Sequence, residues 1–205
     1  MQKFISYFFP LTCALCHRGN SSICTDCLYS LPLGTFQYSH TFVLFSYKNR
    51  QVKSLLQKAK YVHNFSLYAP ICNYLAEKLS QNHFVNREKI LIVPIPMHFL
   101  RRVVRGQNHT EYIAKYLAES LHLPYSFTLL IKTKYTKRQA LLTRIQRLGN
   151  QKNSFMVKVS SIMNLQDLTI ILVDDIMTTG STLLEAKKVL EQAGVKKVIT
   201  VVLAH

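Results

Sequence analysis

Two clusters in this chain have residue types and spacing suited to chemistry, and the first is the stretch IILVDDIMTTGST, from Ile170 to Thr182. Thr169 to Val173 is an apolar, β-branched run with the composition of a buried strand, and Asp174 and Asp175 follow it at once. Ligands of parallel α/β sheets lie beyond the carboxyl ends of the strands, so both carboxylates fall where a ligand should sit. The next residues offer hydroxyls from Thr178, Thr179, Ser181 and Thr182, and Gly180 permits close backbone approach. Thr182 and Glu185 have capping-box spacing, which predicts a helix N-terminus, with free N–H groups and a positive dipole end, directly after the loop. Adjacent carboxylates are poor phosphate ligands but good acceptors for two sugar hydroxyls. The combination asks for a ribose carrying a phosphate. A strand ending in acids also fits a nucleotide-hydrolase Walker B segment, but the chain has no GxxxxGK[ST] and no GxGxxG motif.

The second cluster is Cys13-Ala-Leu-Cys16 and Cys24-Thr-Asp-Cys27, two CxxC units seven residues apart. Each unit forms a tight turn that aims two sulfurs at one metal, and four thiolates suit tetrahedral zinc. The competing reading is a pair of disulfides in a secreted chain. Against it, the apolar lead-in MQKFISYFFPLTC is broken by Pro10 and has no small-residue cleavage site, and Cys72 is left without a partner. His17 is an alternative ligand, but four thiolates already close the shell. The site is then structural, with no position open for water.

Arg101, Arg102 and Arg105, with Gly106, lie between the end of a predicted strand and the start of a predicted helix. Guanidinium groups bind phosphate oxygens in pairs, so these residues suit a pyrophosphate clamp; the plainer reading is an exposed basic loop. Gln139, Arg144, Arg147 and Asn150 fit a mobile loop over the site, a nucleic-acid surface or an ordinary solvated helix face.

The elements that must position these groups are legible from periodicity. Thr41 to Tyr47, Ile90 to Val93, Thr169 to Val173 and Lys197 to Leu203 read as strands. Val52 to Lys60, Leu67 to Leu79 and about Thr182 to Ala193 read as helices. Asn108 and Glu111 have capping-box spacing at the head of a further helix, whose Ile113, Leu117 and Leu121 share one face. Strands alternating with helices predict an α/β fold with a mainly parallel sheet flanked by helices. The composition changes after Pro32 and Gly34, which predicts two units: residues 1–35 as a small double-CxxC knuckle and 36–205 as the α/β domain.

Among 205 residues, 26 Lys and Arg against 10 Asp and Glu give a formal charge of +16, a balance that attracts polyanions. No acid lies between Glu119 and Asp167, where eight bases fall, nor between Asp26 and Glu77. A solvated basic face accounts for part of this excess; a phosphate-rich partner accounts for more. No apolar run is long enough to span a bilayer, so no membrane insertion is expected. Most of the eleven Tyr and eleven Phe fall inside apolar patterns and belong to the core rather than to base-stacking platforms. The histidines have no metal spacing, and Cys72 reads as a small buried hydrophobe.

The segment Ile170 to Thr182 resembles the phosphoribosyl-pyrophosphate signature of type I phosphoribosyltransferases. The chain as a whole resembles the ComF/GntX group of phosphoribosyltransferase-like proteins. The resemblance rests on the double CxxC, the Lys60-Tyr61 pair, VPIPMHFLRRVVRGQN from Val93 to Asn108, and Gln139-x-x-Leu142-x-Arg144-x-x-Arg147-x-x-Asn150 with Phe155 beyond. One local departure is Gln107, where the group has an aromatic. The resemblance implies a type I phosphoribosyltransferase-like fold with an N-terminal zinc knuckle. It also implies binding of phosphoribosyl pyrophosphate with Mg²⁺, Asp174 and Asp175 taking the ribose hydroxyls, Thr178 to Thr182 the 5′-phosphate, and Arg101, Arg105 and Gly106 the pyrophosphate. In a catalyst of this type a nitrogen nucleophile displaces pyrophosphate at the anomeric carbon, but no general base or base-recognition hood is visible here.

Three functions fit. One is a cytoplasmic competence protein that handles incoming single-stranded DNA during natural transformation, with DNA-uptake proteins such as a helicase as partners. Another is a metabolic phosphoribosyltransferase of base salvage. The third is a non-catalytic nucleic-acid-binding module.

Overall fold

The computed structural model describes residues 12–19, 21–34, 41–61, 65–81, 89–134, 153–158 and 164–205. Four strands, β1 (Thr41–Phe45), β2 (Ile90–Pro94), β5 (Thr169–Ile176) and β6 (Lys197–Ala204), form one sheet in the order β1-β6-β5-β2. Every pairing is parallel, with Leu172 opposite Thr200 and Val93 opposite Leu172. A parallel sheet is buried on both faces, which is why these strands read as continuous apolar runs.

The pleat divides those runs between two cores. Ile92, Ile171, Val173, Ile199 and Val201 face one side, where they pack with α2 (Arg50–Tyr61), α3 (Tyr68–Gln81) and α5 (His109–Leu121). Leu91, Val93, Ile170, Leu172 and Val202 face the other, against α6 (Ser181–Gln192) and a two-stranded antiparallel hairpin, β3 (Leu130–Lys132) with β4 (Phe155–Val157). The alternation is the two-residue period of a strand.

Both edges of the sheet are covered. Gly34 N donates to Leu44 O at 2.9 Å beside β1, and Ser126 N donates to Ile92 O at 2.9 Å beside β2. A Cβ at Gly34 would lie within 3 Å of Val43 side-chain and backbone atoms, so only glycine allows this approach.

The knuckle is not a separate bead. Cys13, Ile23, Leu28 and Leu31 join the same core as α2 and α3, with Leu28 supplied by α1 (Thr25–Tyr29). Ser22 Oγ donates to Ser66 O at 3.0 Å, and Lys58 Nζ on α2 donates to Ala14 O at 2.5 Å. The expected boundary at residues 35 and 36 lies outside the described residues.

Several local expectations are corrected. Residues 99–105, read as a loop, form a short helix, α4 (Phe99–Arg105). Its apolar residues Phe99, Leu100, Val103 and Val104 are all more than half exposed, so no buried stripe announces it. What holds it is its ends: His98 Nδ1 accepts from Leu100 N at 3.2 Å, and Gly106, at φ 77°, donates its N–H to Arg102 O at 2.7 Å.

Neither expected capping box forms. Asn108 precedes α5 without a side-chain cap, because its amide turns back to donate to Ile95 O at 3.2 Å. The last sheet helix begins at Ser181 after Gly180, not at Thr182, and Glu185 instead accepts from Asn153 N at 2.6 Å, tying α6 to the hairpin segment.

Candidate functional site

Strand β5 runs to Ile176, so Asp174 and Asp175 are its last turns of pleat rather than part of a free loop. Because they are successive strand residues, their side chains leave on opposite faces. Asp175 shares the face of Ile171 and Val173, and there the Lys60 ammonium of α2 sits 2.6 Å from Asp175 Oδ2, both side chains about one-fifth exposed (23% and 21%). Asp174 shares the face of Leu172, toward the hairpin. Its charge is felt at Lys132, the last residue of β3.

Burial, and then the neighbouring Asp175 charge, push the Asp174 carboxyl up to about 7. The Asp175 N–H, which donates to Asp174 Oδ1 at 2.8 Å, and the Lys60 and Lys132 ammonium groups pull in the other direction. Lys132 is held down at about 8 by burial first and by the Arg101 guanidinium second, with Asp174 opposing. Its ammonium also lies 5.1 Å from the centre of the Phe155 ring. Two cations from different elements, Arg101 and Lys132, are therefore close enough for each charge to be felt by the other, and Lys132 also feels Asp174. That arrangement favours an anion between them.

Beyond the strand, the loop from Met177 to Gly180 leads into α6. Gly180, at φ 72°, takes the left-handed conformation that glycine adopts at little cost and that turns the chain into the helix. Thr179 Oγ1 and Ser181 Oγ are 3.1 Å apart, Ser181 is buried, and Thr182 follows in the first turn. Thr178 is exposed at the loop's tip. The twelve-residue helix opens here with the positive end of its dipole following the two acids in the chain. Met177 N donates to Ala204 O at 2.9 Å and His205 Nδ1 lies 3.0 Å from Met177 O, which anchors the loop to the end of β6.

The three arginines separate. Arg102 makes a bidentate pair with Glu111 on α5, at 3.0 and 3.1 Å. Arg101 is half-buried and faces Lys132. Arg105 ends α4, and Gly106 is exposed just beyond it. Gln139, Arg144, Arg147 and Asn150 lie outside the described residues.

Sequence reasoning gave no site role to Lys60 or Lys132. Lys60 had appeared only as half of a motif pair, and nothing local signals its reach to residue 175. Lys132 looked like one base in a basic run.

The four N-terminal cysteines come together as their spacing predicts. Their sulfurs all lie within 4.8 Å of one another, with Cys16 Sγ and Cys24 Sγ 3.7 Å apart. Metal–sulfur bonds of about 2.3 Å at tetrahedral angles would place sulfurs about 3.8 Å apart. Burial raises the Cys13 thiol, but N–H groups of Cys16, Cys24 and Leu15 outweigh it and bring it down to about 6. Cys27 is pushed up to about 12, first by its hydrogen bond with Cys24 and further by burial and the other thiols. Four sulfurs this close ionise together only around a cation. His17 is exposed and is not among this group. Cys72 is fully buried, Sγ 3.6 Å from Ile113 O, and burial raises its thiol.

Among the described residues no helix is long and apolar enough to cross a membrane. The basic excess is partly committed inside the molecule: Lys58 to the knuckle, Lys60 to Asp175, Arg102 to Glu111.

Residues 62–205 match the model of the phosphoribosyl transferase domain. The chain is 30% identical over 146 residues to Competence protein F of Haemophilus influenzae, a match covering 70% of this chain and 63% of that relative. It is 28% identical over 180 residues to Competence protein ComFC of Streptococcus pneumoniae, covering 88% of this chain and 74% of the relative. With the DNA utilization protein YhgH of Escherichia coli it shares 30% identity over 103 residues, 50% of this chain and 44% of the other. The matches with the Haemophilus and Escherichia proteins thus span less than two thirds of those relatives. The chain belongs to the phosphoribosyl transferase domain family, and within it to the ComF group.

Proposed function

We propose that this is a ComF-type competence protein, acting in the cytoplasm on incoming single-stranded DNA, whose α/β domain binds phosphoribosyl pyrophosphate with Mg²⁺. The observation that carries the ligand reading is the junction of β5 with α6. Two carboxylates, a turn at Gly180 and a helix N-terminus follow one another within nine residues, from Asp174 to Thr182, at the carboxyl end of a central parallel strand. Asp174 and Asp175 accept the ribose hydroxyls. Thr178, Thr179, Gly180, Ser181 and Thr182 hold the 5′-phosphate through hydroxyls and the first N–H groups of the helix.

Arg101, with Arg105 and Gly106, takes the pyrophosphate, opposite Lys132. Mg²⁺ bound with the ligand would offset pyrophosphate charge, alongside the Arg101 and Lys132 cations. Cys13, Cys16, Cys24 and Cys27 hold a structural zinc, a reading supported by four sulfurs within 4.8 Å of one another, with Cys13 buried in the main core and Cys24 and Cys27 packed against it.

The reading in DNA uptake is supported by the names of the relatives, competence and DNA utilization proteins, and by the charge of +16. Other DNA-uptake proteins, such as a helicase, are the partners this role implies. Turnover is not part of the proposal.

Titration of labelled single-stranded DNA at several salt concentrations, with and without Mg²⁺ and phosphoribosyl pyrophosphate, tests the pair of claims. Binding should weaken steeply with salt, as phosphate contacts require. A salt-independent or absent DNA signal removes the DNA role. Pyrophosphate release with any base from a panel would replace it with a salvage enzyme.

A further inference from the structure

The Lys60–Asp175 pair joins residues 115 positions apart, from the last turn of α2 to the end of β5, at 2.6 Å. Nothing in the resemblance to phosphoribosyltransferases assigns Lys60 a task. Resting on the ribose-phosphate reading above, we propose that Lys60 is a positioning residue of the diol site: its ammonium offsets one of two adjacent negative charges, so both carboxylates can stand ionised and aimed at the sugar hydroxyls.

A carboxylate that accepts a hydroxyl hydrogen must be ionised or present its bare oxygen; once protonated it offers one acceptor fewer. Burial and then the charge of the neighbouring Asp175 both oppose ionisation of Asp174. The groups that face them set the outcome. From α2 comes Lys60, in contact with Asp175. From α3 comes Tyr68, fully buried, its hydroxyl without a hydrogen-bond partner among the described residues and its ionisation opposed by burial and then by the Asp175 charge. From β3 comes Lys132, with Arg101 of α4 behind it, on the Asp174 side. From the end of β6, His205 Nδ1 reaches the backbone oxygen of Met177 at 3.0 Å. From α6 the nearest acid, Glu185, is engaged by Asn153 N.

Lys60 is thus a cation in direct contact with Asp175 on its face, while Lys132, kept down by its own burial and by Arg101, is a weaker source of charge on the other. The pleat explains the division. Neighbouring acids facing opposite sides of a sheet need a counter-charge from each side, and α2 delivers one of them. Asp175 Oδ1 accepts from Ile176 N while Oδ2 receives Lys60, so the carboxylate plane is pinned at both oxygens and keeps its remaining lone pairs for a ligand.

The test is calorimetric titration of Mg²⁺ and phosphoribosyl pyrophosphate into the full chain, its Lys60→Met and Lys60→Arg variants, and the Asp174→Asn, Asp175→Asn double variant, from pH 6 to 9. Removing Lys60 should weaken binding about tenfold at pH 7, the equivalent of one unit of carboxylate pKa, and the gap to the parent should close as pH rises toward 9. Lys60→Arg should track the parent to within about threefold, because the charge is kept.

A gap of constant size across the pH range would mean that Lys60 merely attracts the anion, and equal affinity at every pH would mean that it does nothing; either overturns the proposal. Should Lys60→Met melt below the working temperature, the carboxyl ¹³C shifts of Asp-labelled parent and Lys60→Arg decide the matter. Two ionised carboxylates at pH 8 in both support it, and a shared proton in the parent overturns it. Failure of the underlying reading looks different. The parent then binds no better than the double variant, whatever stands at position 60.

Discussion

Arg102 and Glu111 are joined by two hydrogen bonds of 3.0 and 3.1 Å, and this pair fixes the orientation of α4 against α5. Three arginines on one short helix look interchangeable in the sequence. The fork-to-fork contact commits Arg102 to structure, while the Arg101 charge is felt at Lys132.

Arginine replacements should therefore have separable effects. Arg101→Ala should weaken phosphoribosyl pyrophosphate about 10- to 100-fold while leaving ribose 5-phosphate within a few-fold, as expected when one charge-assisted pair to the pyrophosphate is lost. Arg102→Ala removes a pair exposed on its Arg102 side and mostly buried on its Glu111 side (54% and 15%), worth about 1 kcal/mol, which lowers the melting temperature by about 2–4 °C. Calorimetric binding and scanning calorimetry on the two variants make the comparison; equal binding losses would dissolve the distinction.

Asp174 makes stability depend on pH in an unusual direction. Its carboxyl sits near 3.8 in the unfolded chain and at about 7 in the fold, so between those values the folded state holds a proton that the unfolded state has lost. The contribution of this residue to stability consequently falls as pH rises from about 4 to about 7. Asp174→Asn should match the parent near pH 4 and exceed it at pH 8 by on the order of 1–2 kcal/mol, discounted for the partial solvent access of the site. Denaturant unfolding at both pH values checks this, and an unchanged difference between them counts against the buried-acid account.

The cysteines supply a third expectation. Protein purified without added metal should carry about one zinc per chain, and a Cys27→Ser variant substantially less. Because Cys13, Ile23, Leu28 and Leu31 belong to the core shared with α2 and α3, a strong chelator should lower the melting temperature by about 5–15 °C instead of loosening a detached knuckle. Elemental analysis together with a melting curve reads both; a metal content near zero with an unaltered melt refutes the site.

These expectations show what the sequence could and could not reveal. Strand β5 and the cysteine site were legible because their signals are local: a run of β-branched residues from Thr169, and two CxxC turns that bring sulfurs together whatever the rest of the fold does. Helix α4 was hidden because Phe99, Leu100, Val103 and Val104 stay exposed and leave no amphipathic stripe. The hairpin β3–β4 was hidden for a different reason. Its three-residue strands pair Lys132 with Phe155 across more than twenty intervening residues, so no turn chemistry marks it.

The capping boxes failed where tertiary contacts outbid the local bond, Asn108 turning to Ile95 O and Glu185 to Asn153 N. Lys60 and Lys132 entered the site only through the fold. The sequence order of charges says nothing about which ones the pleat of β5 will gather.

The central claim is that Asp174 and Asp175 are the acceptors of a ribose diol, and the direct measurement is the affinity of Mg²⁺ with phosphoribosyl pyrophosphate for the parent and for the Asp174→Asn, Asp175→Asn double variant at pH 8. Two hydrogen bonds to ionised acceptors at about 1.5–3 kcal/mol each predict a loss of about 100-fold or more. Equal affinity in parent and variant would contradict the account.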